Sequence, residues 1–384
     1  MDITYTNRSE SIFTKKNNLE KLIELRDFPI FIGCTEKSQK EDLFANMSWD
    51  ICKDSGCIQL SKLLPIDLVY SSYHSEALGE VWKIHHKNFA KFISENTSKN
   101  ILEIGGSNGE LAEMFCENKA KVKWTIIEPN PDKNKNFENK NINLVKDYVN
   151  RNIFVEKGRD VVHSHVFEHL YDPNKFLEDI SEYLEVGGKQ IMSIPNLKSY
   201  LKMKYSNAIN FEHTFYFNEE MLEYLFNKYD FKVLKKEYFR DHSIFFVVEK
   251  VRNLKKQVIK NFYHENKKDY LDMLNYYKKL VTEINEITKR NNQPVFLFGA
   301  HIFSQFLIYL GINQENLIGI LDNSDYKEGK RLYGTKFNIN KPVEIRSFEK
   351  PNILIFAGQY QEEIEKQIIE INNNAKIIGP KLFN

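Results

Sequence analysis

Cysteine is scarce in this sequence: Cys34, Cys52, Cys57 and Cys116 are the four it has in 384 residues. That excludes a disulfide-stapled scaffold, and thiols in a reducing compartment stay reduced. Long apolar runs are missing too. None approaches the roughly 18 residues of a membrane-spanning helix, and the opening Met1-Asp2-Ile3-Thr4-Tyr5-Thr6 lacks the apolar core of a signal peptide. A cytoplasmic chain without a membrane partner is expected. Neither charge is in excess: 54 Lys and Arg oppose 53 Asp and Glu, for a net charge of +1. This argues against a dedicated nucleic-acid surface. What is present is an apolar fraction of 42%, enough to bury real cores. The chain is too long for one core, so two or three domains are expected.

The most informative stretch is Ile101-Leu102-Glu103-Ile104-Gly105-Gly106-Ser107-Asn108-Gly109. A short apolar strand runs into a glycine turn, and a helical pattern follows from Glu110. Trp124-Thr125-Ile126-Ile127 then forms a second apolar strand that ends in Glu128. Glycines let a backbone approach a ligand closely and take positive φ. A carboxylate at the next strand tip can accept hydrogen bonds from vicinal ribose hydroxyls. The spacing is not that of a dinucleotide fingerprint. Glu103-x-Gly105-x-Ser107-x-Gly109 instead resembles motif I of the class I methyltransferases, with Ser107 where glycine is commoner. The resemblance implies S-adenosylmethionine held by Glu103, Gly105, Gly106, Ser107, Gly109 and Glu128. Asp147, after a third strand, is a candidate acceptor for the adenine amino group.

The surrounding pattern predicts an α/β fold: a Rossmann-like methyltransferase sheet, a small N-terminal domain and a second C-terminal α/β domain. Expected strands are 101–104, 124–127, 142–145, 161–165, 190–194, 231–237 and 243–248. Expected helices lie near 75–95, 110–118, 173–184 and 218–228. Alternation of this kind implies a mostly parallel sheet with helices on both faces, here closed by an antiparallel pair. Residues 1–80 read as irregular, 251–290 as a charged helical connector, and Pro294 onwards as a second α/β unit. The expected domains are therefore 1–80, 81–250 and 251–384.

Two clusters carry proton chemistry. The fourth strand ends in His163-Ser164-His165-Val166-Phe167-Glu168-His169, the usual floor of an acceptor pocket in such a sheet. Alternation puts His163 and His165 on one strand face, and histidine exchanges protons near neutral pH. After the fifth strand comes Asn210-Phe211-Glu212-His213-Thr214-Phe215-Tyr216-Phe217-Asn218. Adjacent Glu212 and His213 suit general acid/base work, and Asn218 suits a helix cap.

Here the chain resembles the three-part sugar C-methyltransferases of deoxysugar biosynthesis. Their central loop carries Tyr-His-Glu-His and a Tyr-Phe pair, matched by Asn210-Phe211-Glu212-His213 and Tyr216-Phe217. A histidine after their fourth strand matches His169. Cys52-x4-Cys57-x-Gln59-Leu60 is a stretched form of the end of their zinc domain. Phe298-Gly299-Ala300, Asp322 and Lys327-x-Gly329 match their C-terminal domain. The resemblance implies a methyltransferase acting on a sugar or nucleotide sugar, with His213 as the leading base, Glu212 orienting it, His169 as the alternative base, and Asn210, Tyr216 and His165 contacting substrate. Loss of the loop's tyrosine and first histidine favours a nitrogen or oxygen acceptor. Methylation of carbon on a 3-keto sugar nucleotide is the alternative, and a non-catalytic donor-binding scaffold is the rival from another class. An NAD-linked enzyme built on Gly299-Ala300 lacks the further glycines.

No metal is expected. A closed structural zinc site wants four ligands, usually in two close pairs. Cys52 and Cys57 are spaced one residue beyond the usual pair, Cys34 has no sequence neighbour, and Cys116 falls on a helix. Elemental analysis should therefore find no zinc held by cysteine; zinc lost on replacing Cys52 or Cys57 would contradict this.

Overall fold

Short apolar runs bounded by glycine, proline or asparagine alternate with amphipathic helices through the middle of the chain, and a parallel sheet follows. The computed structural model describes residues 3–70, 80–117, 121–131, 137–148, 157–291 and 293–380. Seven strands form the central sheet: β1 (Ile101–Ile104), β2 (Trp124–Ile127), β3 (Ile142–Val145), β4 (Asp160–Ser164), β5 (Lys189–Pro195), β6 (Phe231–Phe239) and β7 (Ser243–Lys250). Their spatial order is β6-β7-β5-β4-β1-β2-β3. Strands β1 to β5 run parallel, while β7 pairs antiparallel with both β5 and β6. This is the class I methyltransferase sheet. It switches direction between β1 and β4, where ligands bind outside the carboxyl ends of the strands.

Helices cover the sheet for readable reasons. Phe89, Phe92 and Ile93 of the Glu80–Asn96 helix pack with Ile101, Trp124, Phe245 and Val247 in one buried cluster. Ser75 and Leu78, expected in the same helix, lie outside the described residues. Asp172 accepts the N–H groups of Asn174 and Lys175 to start the Pro173–Tyr183 helix. Asn218 Oδ1 accepts the Met221 N–H at 2.9 Å and caps the Glu219–Lys228 helix, as its position in the sequence suggests.

By contact, the chain divides into two compact units that interleave along the sequence. One comprises residues 1–23, 48–200 and 212–267; the other comprises 24–47, 201–211 and 268–384. The second contains a five-stranded sheet in the order Ile339–Asn340, Leu317–Leu321, Val295–Phe298, Asn352–Ile355 and Lys376–Ile378, all parallel. It repeats one device of the first. The Ala300 N–H donates to Asp322 Oδ2 at 2.8 Å beside Gly299, whose φ is 104°. In the first unit the Ser107 N–H donates to Glu128 Oε2 at 3.0 Å.

Two readings of the sequence need correction. Residues 1–80 are not irregular: Leu19–Pro29, Phe44–Cys52 and Ile58–Leu60 are strands, and Phe215–Tyr216 completes their four-stranded sheet. Charges interrupt the alternation in Leu19-Glu20-Lys21-Leu22, and the completing strand comes from far along the chain, so no local pattern announces the sheet. Residues 251–262 are also not helical; the helix begins at Tyr263 and ends at Asn291. The Asn227 amide explains the difference. It donates to Lys255 O at 3.0 Å and accepts the Gln257 N–H at 2.7 Å, satisfying backbone groups that a helix would otherwise pair.

Candidate active site

The turn after β1 is left-handed at Gly105 (φ 69°), Ser107 (φ 49°) and Gly109 (φ 79°). Ser107 carries a Cβ in that region, which costs roughly 1–2 kcal/mol; its N–H bond to Glu128 offsets part of this. A Cβ on Gly105 would stand 2.5 Å from Val166 Cγ2, and one on Gly106 would stand 2.6 Å from Ile126 Cγ2 and 2.8 Å from Glu103 Oε2. The turn thus lies directly against the segment after β4.

The structure places Glu103 beneath this turn, where it supports Gly106 and does not face a ligand. It is 2% exposed, and its Oε2 accepts the Trp124 Nε1–H at 2.7 Å. Burial pushes its carboxyl up to about 8, so much of it is uncharged at neutral pH. Glu128 is the half-buried acid at the tip of β2. It accepts the Ser107 and Asn130 N–H groups, each at 3.0 Å, and a carboxylate retains further lone pairs for ribose hydroxyls. Asp147 is exposed beyond β3 and accepts the Tyr148 N–H at 2.7 Å.

β4 ends at Ser164, and His165 turns left-handed with φ 52°. That twist breaks the alternation, so His163 and His165 do not share surroundings. His163 is packed: its Nε2 lies 2.9 Å from Gln190 Nε2, its ring lies 5.5 Å from that of Phe176, and burial lowers its pKa to about 3. His165 has Nε2 2.9 Å from Ser243 Oγ and Nδ1 3.2 Å from Glu168 Oε1.

Glu168 is the residue sequence reasoning missed. It is fully buried, in the short turn Phe167–His169. Burial pushes its carboxyl up to about 7, against the pull of His169. His169 Nε2 stands 3.9 Å from Glu168 Oε1, and His169 Nδ1 stands 3.1 Å from the Glu212 carbonyl. A carbonyl only accepts, so Nδ1 carries the proton and, in the neutral ring, Nε2 offers its lone pair. The ring of His213 lies 5.0 Å from that of His169. Burial holds His213 well below the usual imidazole range, assisted by His169 and His165. One ligand-type atom from each of Glu168, His169 and His213 lies within 4.8 Å of the others.

Tyr70 is half-buried at the end of the Ile66–Val69 helix. Burial, reinforced by the charges of Glu212, Tyr171, Glu168 and Glu128, raises its phenol well above the ordinary value. Its carbonyl accepts the Asn130 Nδ2–H at 2.6 Å. No motif pointed to Tyr70, because it ends a four-residue helix, Ile66–Val69.

One expected substrate contact sits elsewhere. Tyr216 is 2% exposed, lies in the strand that pairs with Ile58, and packs its ring 5.0 Å from that of Trp49. It is a core residue because the sheet, not the loop, claims Phe215–Tyr216. Asn210 is buried and donates Nδ2–H to Asn207 O at 2.8 Å. The cysteines are free thiols. Cys52 and Cys57 are buried and joined through the backbone, Cys52 N–H to Cys57 O at 2.8 Å.

Residues 73–236 match the model of a methyltransferase domain, and residues 243–380 match that of a C-methyltransferase C-terminal domain. No curated protein matches the chain. Similar solved structures include an S-adenosylmethionine-dependent methyltransferase from Aquifex aeolicus (13% identity, covering 45% of this chain and 97% of that one, TM-score 0.36). Another is the 1,6-didemethyltoxoflavin-N1-methyltransferase of Burkholderia thailandensis (15%, 48% and 86%, TM-score 0.36). A third is human N-acetylserotonin methyltransferase (15%, 45% and 53%, TM-score 0.37). On its domain models and sheet, the chain is an S-adenosylmethionine-dependent methyltransferase.

Two outcomes follow. Glu128→Ala should weaken S-adenosylmethionine binding by about 1.5–3 kcal/mol, the range for hydrogen bonds to a charged group; unchanged calorimetric affinity would contradict the assignment. Glu168 has a folded pKa above its unfolded value, so the stability it contributes is present below about 4.5 and is lost as pH rises through about 7. Denaturant titrations of Glu168→Gln against the parent should therefore diverge in favour of the variant across that window, by on the order of 3 kcal/mol. A pH-independent difference would contradict a buried, neutral-range carboxyl.

Proposed function

We propose that the protein transfers a methyl group from S-adenosylmethionine to carbon next to a ketone in a sugar or nucleotide sugar of a bacterial surface-glycan pathway. The observation that carries this reading is the Glu168–His169–His213 cluster, with a carboxyl near neutrality, against the donor turn through Val166 and Gly105. Removing a proton from carbon demands a placed base and a stabilised enolate. The loop supplies fewer proton-handling groups than the sugar C-methyltransferases have, because Asn210 and Phe211 stand where they carry tyrosine and histidine. Glu168 makes up the deficit. The match to a C-methyltransferase C-terminal domain supports the carbon acceptor, and the sugar comes from the sequence resemblance.

The bound sulfonium supplies a methyl group for in-line displacement. His169 Nε2 takes the carbon-bound proton, its tautomer fixed by the Glu212 carbonyl. Glu168 stabilises the imidazolium that forms. His213, held neutral by burial, donates to the developing enolate oxygen. Glu212 lies beside both histidines through its backbone and contributes charge through its side chain.

The substitutions at Asn210 and Phe211 favour a second reading, transfer to a nitrogen or oxygen nucleophile that needs only one proton removed. The test is incubation of 3-keto sugar nucleotides with isotopically labelled donor in deuterated solvent, followed by NMR of the product. The proposal expects exchange of the proton adjacent to the ketone, a new carbon–carbon bond, and a loss in kcat of about 10²–10⁴ for His169→Ala. An N- or O-methyl product without exchange would establish the second reading. Donor binding without incorporation into any sugar would leave a scaffold.

A further inference from the structure

Behind Glu168 lies a second set of histidines that methyl transfer does not use. His85 comes from the Glu80–Asn96 helix, His165 from the end of β4, and His242 from the turn between β6 and β7. Residues 85, 165 and 242 are far apart in sequence, yet one nitrogen of each lies within 4.8 Å of the others. All three rings pack against Trp82, at centroid separations of 5.2, 4.8 and 4.8 Å respectively.

Each ring is held from outside. His85 Nε2 lies 2.8 Å from Ser193 Oγ, while its Nδ1 is buried and has no hydrogen-bond partner. His165 Nδ1 faces the Glu168 carboxylate at 3.2 Å. The Ser243 hydroxyl stands between the other two rings, 2.9 Å from His165 Nε2 and 2.6 Å from His242 Nδ1. An unpartnered buried nitrogen such as His85 Nδ1 costs about 1–3 kcal/mol, a penalty that an ion bound among the three rings removes. Metal-ligating histidines characteristically give their other ring N–H to a carboxylate or similar acceptor; Glu168 and Ser193 stand where such acceptors would be.

We propose that His85, His165 and His242 form a binding site for a divalent first-row transition ion, with Zn²⁺ as the reference case. Imidazole donors suit zinc, nickel, copper and iron and disfavour Mg²⁺ and Ca²⁺, which take oxygen ligands. His85 binds through Nδ1 and His165 through Nε2, so that Ser193 and Glu168 orient the rings. Zinc–nitrogen bonds of ~2.0–2.1 Å require the rings to draw together from the separation seen here, and His242, in the three-residue turn 240–242 between β6 and β7, has the freedom to do so. Burial keeps all three rings below the usual imidazole range, with Arg240 adding to the effect at His242, so protons do not compete for the lone pairs at neutral pH. Three protein ligands leave a fourth position, which the Ser243 hydroxyl or water takes. The site is independent of the acceptor assigned above.

The test uses the full chain with any histidine tag removed and stripped with chelator. Zn²⁺ is titrated by calorimetry, and Co²⁺ is followed by visible absorption and by quenching of Trp82 fluorescence, with Trp82→Phe as the control. The expected result is one ion per chain, and at least about 100-fold weaker binding in His85→Gln and in His242→Gln. His213→Gln and Cys52→Ser should bind as the parent does. Should His85→Gln not fold, the half-exposed His242 decides the matter. Absence of binding at millimolar Zn²⁺ and Co²⁺ would overturn the proposal. So would binding that survives His85→Gln and His242→Gln but is lost in His213→Gln, which would move the ion to the Glu168 cluster.

Discussion

The missing side chain of Gly105 is the constraint on which the site depends. A single Cβ there would drive into Val166, and the turn that approaches the donor could not touch the segment that carries Glu168 and His169. Gly106 repeats the demand one residue later, over Ile126 and the protonated Glu103. Donor turn and proton-handling loop are therefore one packed object. Gly105 follows β1 and Val166 follows β4, so their contact fixes how closely the two segments approach.

Desolvation does the rest. The same burial that lowers His163, His165 and His213 raises Glu103 and Glu168, because a low dielectric disfavours charge of either sign. The result is a set of acids and bases close to uncharged at neutral pH, with Glu168 the one placed near the middle of the range. Pairs of titratable groups pushed apart in this way identify acid and base roles.

Much of this was legible in the sequence. Strands β1, β2 and β3 fall on the residues expected, because each is a four-residue run with three apolar residues and a clear boundary. The Asn218 cap, the glycine turn and Glu128 were legible for the same reason: each is a local chemical requirement. The failures are non-local. Leu19–Pro29 and Phe44–Cys52 become strands partly because Phe215–Tyr216 completes their sheet, and this same pairing removes Tyr216 from the active loop. Glu103 looked like a ligand because the motif includes it, but its depth is a property of the sheet. His85, beside His86 on a helix, and His242 and Tyr70, next to a strand and a short helix, belong to no motif, and only the tertiary fold assembles their partners.

The central claim is that Glu168 is a neutral-range carboxyl facing the bound donor. Carbon-13 NMR of glutamate-labelled protein, with Glu168→Gln identifying the resonance, measures it directly. The account predicts a titration midpoint near 7 that falls when S-adenosylmethionine binds, since a nearby positive charge favours the carboxylate. A midpoint in the ordinary range near 4.5, unmoved by the donor, would contradict it.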